Sequence, residues 1–180
     1  DLRLRFSRML TRPFTGDLIP RERAAVALDP RRDRMFVATS GGNVYSLDGN
    51  GRTRFHYVAD SELDATPVLD AANDVLFIAA MDGTLHAVNA TTGEQKYKVD
   101  VGHPLAEEPV LFGDTLFVIG DDDVVAAVAT EDGGVLWTYR RPPAEEISVS
   151  GHAGIAIIGD RLIVGFDDGM LAALRANDGA

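Results

Sequence analysis

The chain has 180 residues, 46% of them hydrophobic and 25% charged, a balance that excludes a disordered polymer and supports a packed core. Its 28 acidic against 17 basic residues leave a formal charge of -11, which repels phosphate polymers and anionic membrane surfaces, so nucleic acid is not an expected partner. There is no cysteine, which excludes disulfides, thiolate metal sites and a thiol nucleophile, and no apolar stretch reaches the roughly 18 residues of a membrane span.

In chain order, Leu2 to Phe6 reads as a short strand that ends in an aromatic, and Thr11 to Arg23 as an extended connection carrying Arg12-Pro13, Gly16 and Pro20-Arg21. Four segments then register on one another: Met35 to Leu47, Leu76 to Val88, Leu116 to Val128, and Leu162 to Leu174. With Phe36, Phe77, Phe117 and Ile163 as equivalent positions, the spacings are 41, 40 and 46 residues. Six residues after each of these stands Gly42, Gly83, Asp123 or Gly169, closing a two-residue turn that needs positive φ. Eleven residues after stands Leu47, Val88, Val128 or Leu174, an apolar residue on the returning strand. A further strand follows Gly51, Gly93 and Gly133 and carries Phe55, Tyr97 or Trp137, a ring suited to covering the seam between neighbouring sheets. An apolar strand precedes each hairpin: Val26 to Leu28, Pro67 to Leu69, Pro109 to Leu111, and Ile155 to Ile157.

Short strands at this spacing, with no capped helical period, predict an all-β chain: a β-propeller of four four-stranded antiparallel repeats. A β-sandwich or an up-and-down barrel does not explain four registered units. One repeat domain spans 1–180, with blades near 24–64, 65–106, 107–152 and 153–180. Leu2 to Phe6 resembles the aromatic strand without the three that precede it, and the fourth unit reaches Gly179-Ala180 where its own aromatic strand is due. Residues 1–8 are therefore expected to complete the last blade. Three arrangements stay open: a closed four-blade ring, half of a larger propeller, and two copies paired into an eight-blade ring.

The residues that look chemical have plainer explanations. Asp121-Asp122-Asp123 lacks the spacing of a calcium loop and reads as a hairpin tip. His56, His86, His103 and His152 form no metal-ligand pattern, the serines lack a nucleophile-elbow context, and Gly41-Gly42 is too short to cradle a diphosphate. Asn89-Ala90-Thr91 matches a glycosylation acceptor but fits a polar connection better. No catalytic, metal or cofactor residue is expected, and no cofactor. The long connection from about Pro142 to Gly154, with Arg140-Arg141 before it and Glu145-Glu146 within it, is the candidate partner loop, and its structural alternative is a tolerated insertion.

The run Asp82-Gly83-Thr84-Leu85-His86-Ala87-Val88-Asn89, followed by Thr92-Gly93-Glu94 and Tyr97, resembles the pyrroloquinoline-quinone-like propeller repeat. The third unit departs at Asp123 but keeps Ala127, Gly133 and Trp137, and the first has Ser46 and Phe55 in place of alanine and tryptophan. That family includes quinone-dependent dehydrogenases, BamB-like outer-membrane assembly lipoproteins and bacterial sensory ectodomains. The resemblance implies a protein-binding scaffold of the periplasm or cell envelope, the BamB-like branch leading, with a ligand- or partner-sensing domain as the alternative. A dehydrogenase fragment ranks lower, because that branch often places a vicinal disulfide over its quinone and this chain has no cysteine.

Overall fold

The computed structural model describes residues 6–10, 25–141, 154–166 and 168–180. Fifteen strands run in order through these residues: β1 (Val26–Asp29), β2 (Arg34–Ala38), β3 (Asn43–Asp48), β4 (Thr53–Val58), β5 (Val68–Asp70), β6 (Val75–Ala79), β7 (Thr84–Asn89), β8 (Gln95–Asp100), β9 (Val110–Phe112), β10 (Thr115–Ile119), β11 (Val124–Ala129), β12 (Val135–Arg140), β13 (Ile155–Ile158), β14 (Arg161–Gly165) and β15 (Leu171–Arg175). They form three four-stranded antiparallel meanders and a three-stranded one, β13-β14-β15, each in simple sequence order. The expected strand Leu2 to Phe6 lies outside the described residues except for Phe6, as do the irregular connection Thr11 to Arg23 and all but Gly154 of the enlarged one.

Burial follows from position in the array. The middle strands of the second and third blades, β6, β7, β10 and β11, are buried almost without interruption because both faces are packed, and all but β7, which carries Thr84, His86 and Asn89, are apolar nearly throughout. The last strands, β8 and β12, face a neighbour on one side only, and their exposure alternates. Three cores fill the seams. Phe36, Val44 and Phe55 meet Leu76, Ile78 and Val88 between the first and second blades. Phe77, Leu85 and Ala87 meet Leu116, Val118 and Val128 in the next seam, and Phe117, Val125 and Ala127 meet Leu162, Val164 and Leu174 in the last. Phe36, Phe77 and Phe117 are fully buried, each contributing roughly 2–3 kcal/mol by removal from water.

The hairpin tips take the expected positive φ, +78° at Gly42, +85° at Gly83 and +80° at Gly169, but the loops hold three residues rather than the expected two. The Thr39 N–H donates to the Asn43 carbonyl and the Gly42 N–H to the Thr39 carbonyl, so only the last loop residue is left-handed, and the other tips repeat this pattern. Asp123, the unit without glycine, adopts +61°, a conformation that aspartate tolerates better than most side chains. A β-bulge recurs between the third and fourth strands, after Ser46, Ala87 and Ala127, and each of these small residues lies opposite the aromatic of the outer strand.

Candidate protein interface and the joints that hold it

A propeller can present loops to a partner only if its blades hold them still. The aromatic at Phe55, Tyr97 or Trp137 leaves its own sheet and lies on the glycine of the next: Phe55 on Gly93, Tyr97 on Gly133, Trp137 on Gly179. These glycines have φ of +77°, +80° and +72°, and a Cβ there would stand 2.6–2.8 Å from the ring. Only glycine satisfies both the backbone and the ring. Phe6 lies on Gly51 in the same way.

The ring tip adds a second hold. The Tyr97 hydroxyl donates to the Thr130 carbonyl at 3.0 Å, and the Trp137 indole N–H to the equivalent Ala176 carbonyl at 3.1 Å. Burial, with the Asp132 charge adding to it, pushes the Tyr97 hydroxyl up to about 12, so it remains a donor. Phe55 has no polar tip to offer Ala90. Thr130 and Ala176 are themselves fixed, their N–H groups donating to the carbonyls of Asp114 and Asp160 at 3.0 and 2.9 Å, as Ala90 donates to Asp74 at 2.9 Å. These aspartates, with Asp33, stand three residues before each registered position. That signal is legible in the sequence once the register is extended upstream.

Between the first two blades, charge takes the place of the ring tip. The Arg34 guanidinium, almost wholly buried, donates to Asp29 Oδ2 at 2.7 Å from Nη2 and 3.2 Å from Nε. It reaches across the seam to Asp74 Oδ1 at 2.8 Å and Thr91 Oγ1 at 2.9 Å, while Thr91 donates to Asp74 at 2.7 Å. Arg34 holds the Asp29 carboxyl below the usual carboxylate range. The Asp74 carboxyl is also lowered, because its bonds from Thr91 and Arg34 outweigh burial. Nearby His86 is buried, its Nδ1 2.8 Å from the Tyr57 hydroxyl and its Nε2 2.9 Å from Thr84 Oγ1, which donates to Asp82 at 2.6 Å. Burial pulls His86 down to about 4, Lys98 adding to the effect and Asp82 and Asp60 opposing it. His86 is therefore neutral at pH 7 and engaged in packing.

On the hairpin face, Gly42 and Gly83 lie tight beneath the crossovers that follow β4 and β8. A Cβ at Gly42 would stand 2.5 Å from the Ser61 carbonyl oxygen, and one at Gly83 would stand 3.1 Å from the His103 nitrogen, whereas Gly169 has open space. Arg140, 59% exposed by side chain, donates to Asp122 at 3.2 Å, the carboxylate that also meets His103 Nδ1 at 2.8 Å. Arg141 is only 18% exposed: it donates to Asp168 at 2.6 Å and its guanidinium lies 4.9 Å from the centre of the Phe166 ring. That bond holds the Asp168 carboxyl below and the Arg141 guanidinium above its ordinary value. Arg141 thus joins the third blade to the fourth, and Arg140 faces solvent. Glu145 and Glu146 lie outside the described residues. Among the described residues no group of acidic or histidine side chains is arranged to hold a metal ion. A cleft of about 400 Å³ between the second and third blades is lined by residues including Asp70, Lys96, Asp114 and Glu131.

Sheets stacked blade on blade, sealed by a ring on a glycine, define a β-propeller built of pyrroloquinoline-quinone-like repeats. The model of the family described as outer membrane protein assembly factor BamB matches residues 61–180, two-thirds of the chain, and the chain belongs to that family. It is 28% identical over 119 residues to the BamB of Salmonella typhimurium (strain LT2), a match covering 66% of this chain and 28% of that protein. The crystal structure of BamB from Moraxella catarrhalis superposes with a TM-score of 0.78 at 24% identity, covering 88% of this chain and 47% of that one. A quinohemoprotein alcohol dehydrogenase from Pseudomonas putida HK5 shares the fold, with a TM-score of 0.67 at 16% identity over 82% of this chain and 31% of that one. The chain spans well under half the length of the BamB relatives it matches.

Proposed function

We propose that the chain is a non-catalytic protein-interaction scaffold of the bacterial cell envelope, acting on the periplasmic side in outer-membrane protein assembly. The observation that carries this reading is the BamB family match over residues 61–180. The likeness to a quinone-dependent dehydrogenase is one of fold and does not bring its chemistry here. The physical mechanism is display. Blades sealed by rings, glycines and a buried ion cluster hold the hairpin-face loops in one arrangement before a partner arrives, and so lower the ordering cost of capture. The connection that leaves β12 is the proposed contact, with exposed Arg140 offered to the partner and Arg141 fixing its base to the fourth blade. The same reading has the arc of four blades completed into a ring.

The test is co-purification of the tagged chain from cell envelopes with the outer-membrane assembly complex. The expected result is a specific association that Arg140→Glu weakens. Absence of association, or quinone-dependent turnover by the purified chain, would overturn the reading.

A further inference from the structure

The second seam keeps the acidic half of the cluster that joins the first seam and lacks its arginine. In the first seam Asp29 ends β1 opposite Arg34, its partner in the ladder, and Asp74 and Thr91 stand across the seam. One register further on, Asp70 ends β5 opposite Val75, and Asp114 and Glu131 stand across. Arg34 and Val75 each precede a buried phenylalanine by two residues, and Thr91 and Glu131 each precede a glycine seated under a ring by two. Valine is too short to span the seam. In place of a guanidinium, the second seam has the cleft of about 400 Å³, lined by Val75, Asp70, Asp114, Glu131 and Lys96 among others.

The third seam shows what these positions become when they hold no charge. Thr115 stands where Arg34 and Val75 stand, and its ladder partner is Phe112 in place of the aspartate. Arginine and aspartate are lost together there. In the second seam only the arginine is lost, and the threonine across it is exchanged for a further carboxylate, Glu131. Capping of the turn accounts for one oxygen of buried Asp70: Oδ1 accepts from the Ala72 and Asn73 N–H groups at 3.0 and 3.1 Å, as Asp29 Oδ1 accepts from the Arg32 N–H at 3.3 Å. In Asp29 the other oxygen, Oδ2, takes the guanidinium. In Asp70 it accepts the Asn73 side-chain amide at 2.8 Å and keeps capacity for a second donor. Among the described residues lining the cleft, three carboxylates face one ammonium, that of Lys96.

We propose that this cleft is a binding site for a guanidinium group, an arginine side chain of a protein partner held between Asp70, Asp114 and Glu131. Arg34 itself points to that ligand. Its Nη2 donates to Asp29 at 2.7 Å and to Asp74 at 2.8 Å, and its Nη1 to Thr91 at 2.9 Å, the three residues whose places Asp70, Asp114 and Glu131 take one seam later. A planar fork of several donors bridges acceptors on two blades, which a compact ammonium does less well. The same carboxylates are not gathered as a metal ion requires. The cleft opens where β5 turns into β6 and β11 into β12, at the opposite end of the sheets from the hairpin tips and Arg140. It therefore goes beyond the scaffold reading, whose contact lies at the other end. Both of its walls belong to blades that have a neighbour on each side.

The test is a titration of the isotope-labelled full chain with N-acetyl-arginine amide, N-acetyl-lysine amide, free arginine and calcium chloride, read by backbone amide NMR shifts. The capped arginine should give saturable shifts confined to the surroundings of Asp70, Asn73, Asp114 and Glu131, and the capped lysine should need a several-fold higher concentration. Asp114→Asn/Glu131→Gln changes two exposed side chains and should abolish the shifts while leaving the rest of the spectrum in place. Val75→Arg, which supplies the guanidinium from within as Arg34 does, should block the probe as well. Val75 is buried and its replacement can cost the fold, so the carboxylate variant decides the outcome. No saturable shift, an equal response to arginine and lysine, shifts that survive the loss of the carboxylates, or a response to calcium in their place would overturn the proposal. Free arginine binding more tightly than the capped form would assign the cleft to an amino acid and overturn its assignment to a protein side chain. Failure of arginine to bind leaves the scaffold reading standing, and loss of co-purification with the assembly complex leaves the arginine site standing.

Discussion

The seam between the first and second blades and the two seams after it share one geometry and differ in chemistry. In all three, an aromatic from the outer strand lies on a glycine with positive φ in the next blade. At the later two, the ring also donates a hydrogen bond to a backbone carbonyl. At the first, phenylalanine cannot donate, and a buried arginine bridging Asp29 of one blade and Asp74 of the next takes up the linking role. The repeat therefore specifies how blades approach, while the polar link across each seam is free to vary. A ring-tip bond is insensitive to pH over the ordinary range, whereas a buried ion cluster depends on two ionised carboxylates.

The largest expected effect breaks the first seam. Arg34→Met leaves Asp29 and Asp74 without their buried partner and should destabilise the chain by about 3–5 kcal/mol in urea unfolding. Next comes the ring seat. Gly133 and Gly169 share a φ of +80°, but only Gly133 has a ring above it. Gly169→Ala should cost about 1 kcal/mol for the backbone alone, and Gly133→Ala about 1–3 kcal/mol more as Tyr97 is displaced. Equal losses would remove the ring from the explanation.

The third effect is a pH dependence. His86 is depressed to about 4 from its ordinary 6.5, so between those values the unfolded chain binds more protons than the folded one. The contribution of neutral His86 is fully present above about pH 6.5 and is lost as pH falls toward 4, with a limiting slope of about 1.4 kcal/mol per pH unit. His86→Leu should flatten that part of the stability profile. Asp29 and Asp74 add a decline of the same sign at lower pH, since both are held below the ordinary carboxylate range.

The smallest effect sharpens the comparison from the other side. Ser46 occupies the position of Ala87 and Ala127, and its buried hydroxyl has no hydrogen-bond partner among the described residues. Ser46→Ala should stabilise the chain by about 1 kcal/mol in thermal unfolding, bringing the first blade into line with the others.

The architecture was legible because turns and rings recur at fixed offsets: Gly42, Gly83 and Gly169 close the hairpins, and Phe55, Tyr97 and Trp137 all meet the next blade. Asp123 illustrates how such a pattern survives substitution, since another residue that tolerates positive φ fills the same turn. What escaped was pairwise chemistry across the seams. Arg34 and Asp74 are 40 residues apart, belong to different blades, and look in the sequence like ordinary surface charges beside turns. Only the stacking of sheets buries them together. Arg140 and Arg141 are adjacent and alike in the sequence, yet one faces solvent while the other is spent on Asp168 and Phe166, because successive residues of an extended chain point to opposite faces.

Charge couples the first two blades directly, through the Arg34–Asp74 ion pair. A double-mutant cycle between Arg34→Met and Asp74→Ala, read by equilibrium urea unfolding, measures that coupling across the seam. The predicted result is an interaction energy of about 1–3 kcal/mol; losses that simply add, to within about 0.5 kcal/mol, would contradict it.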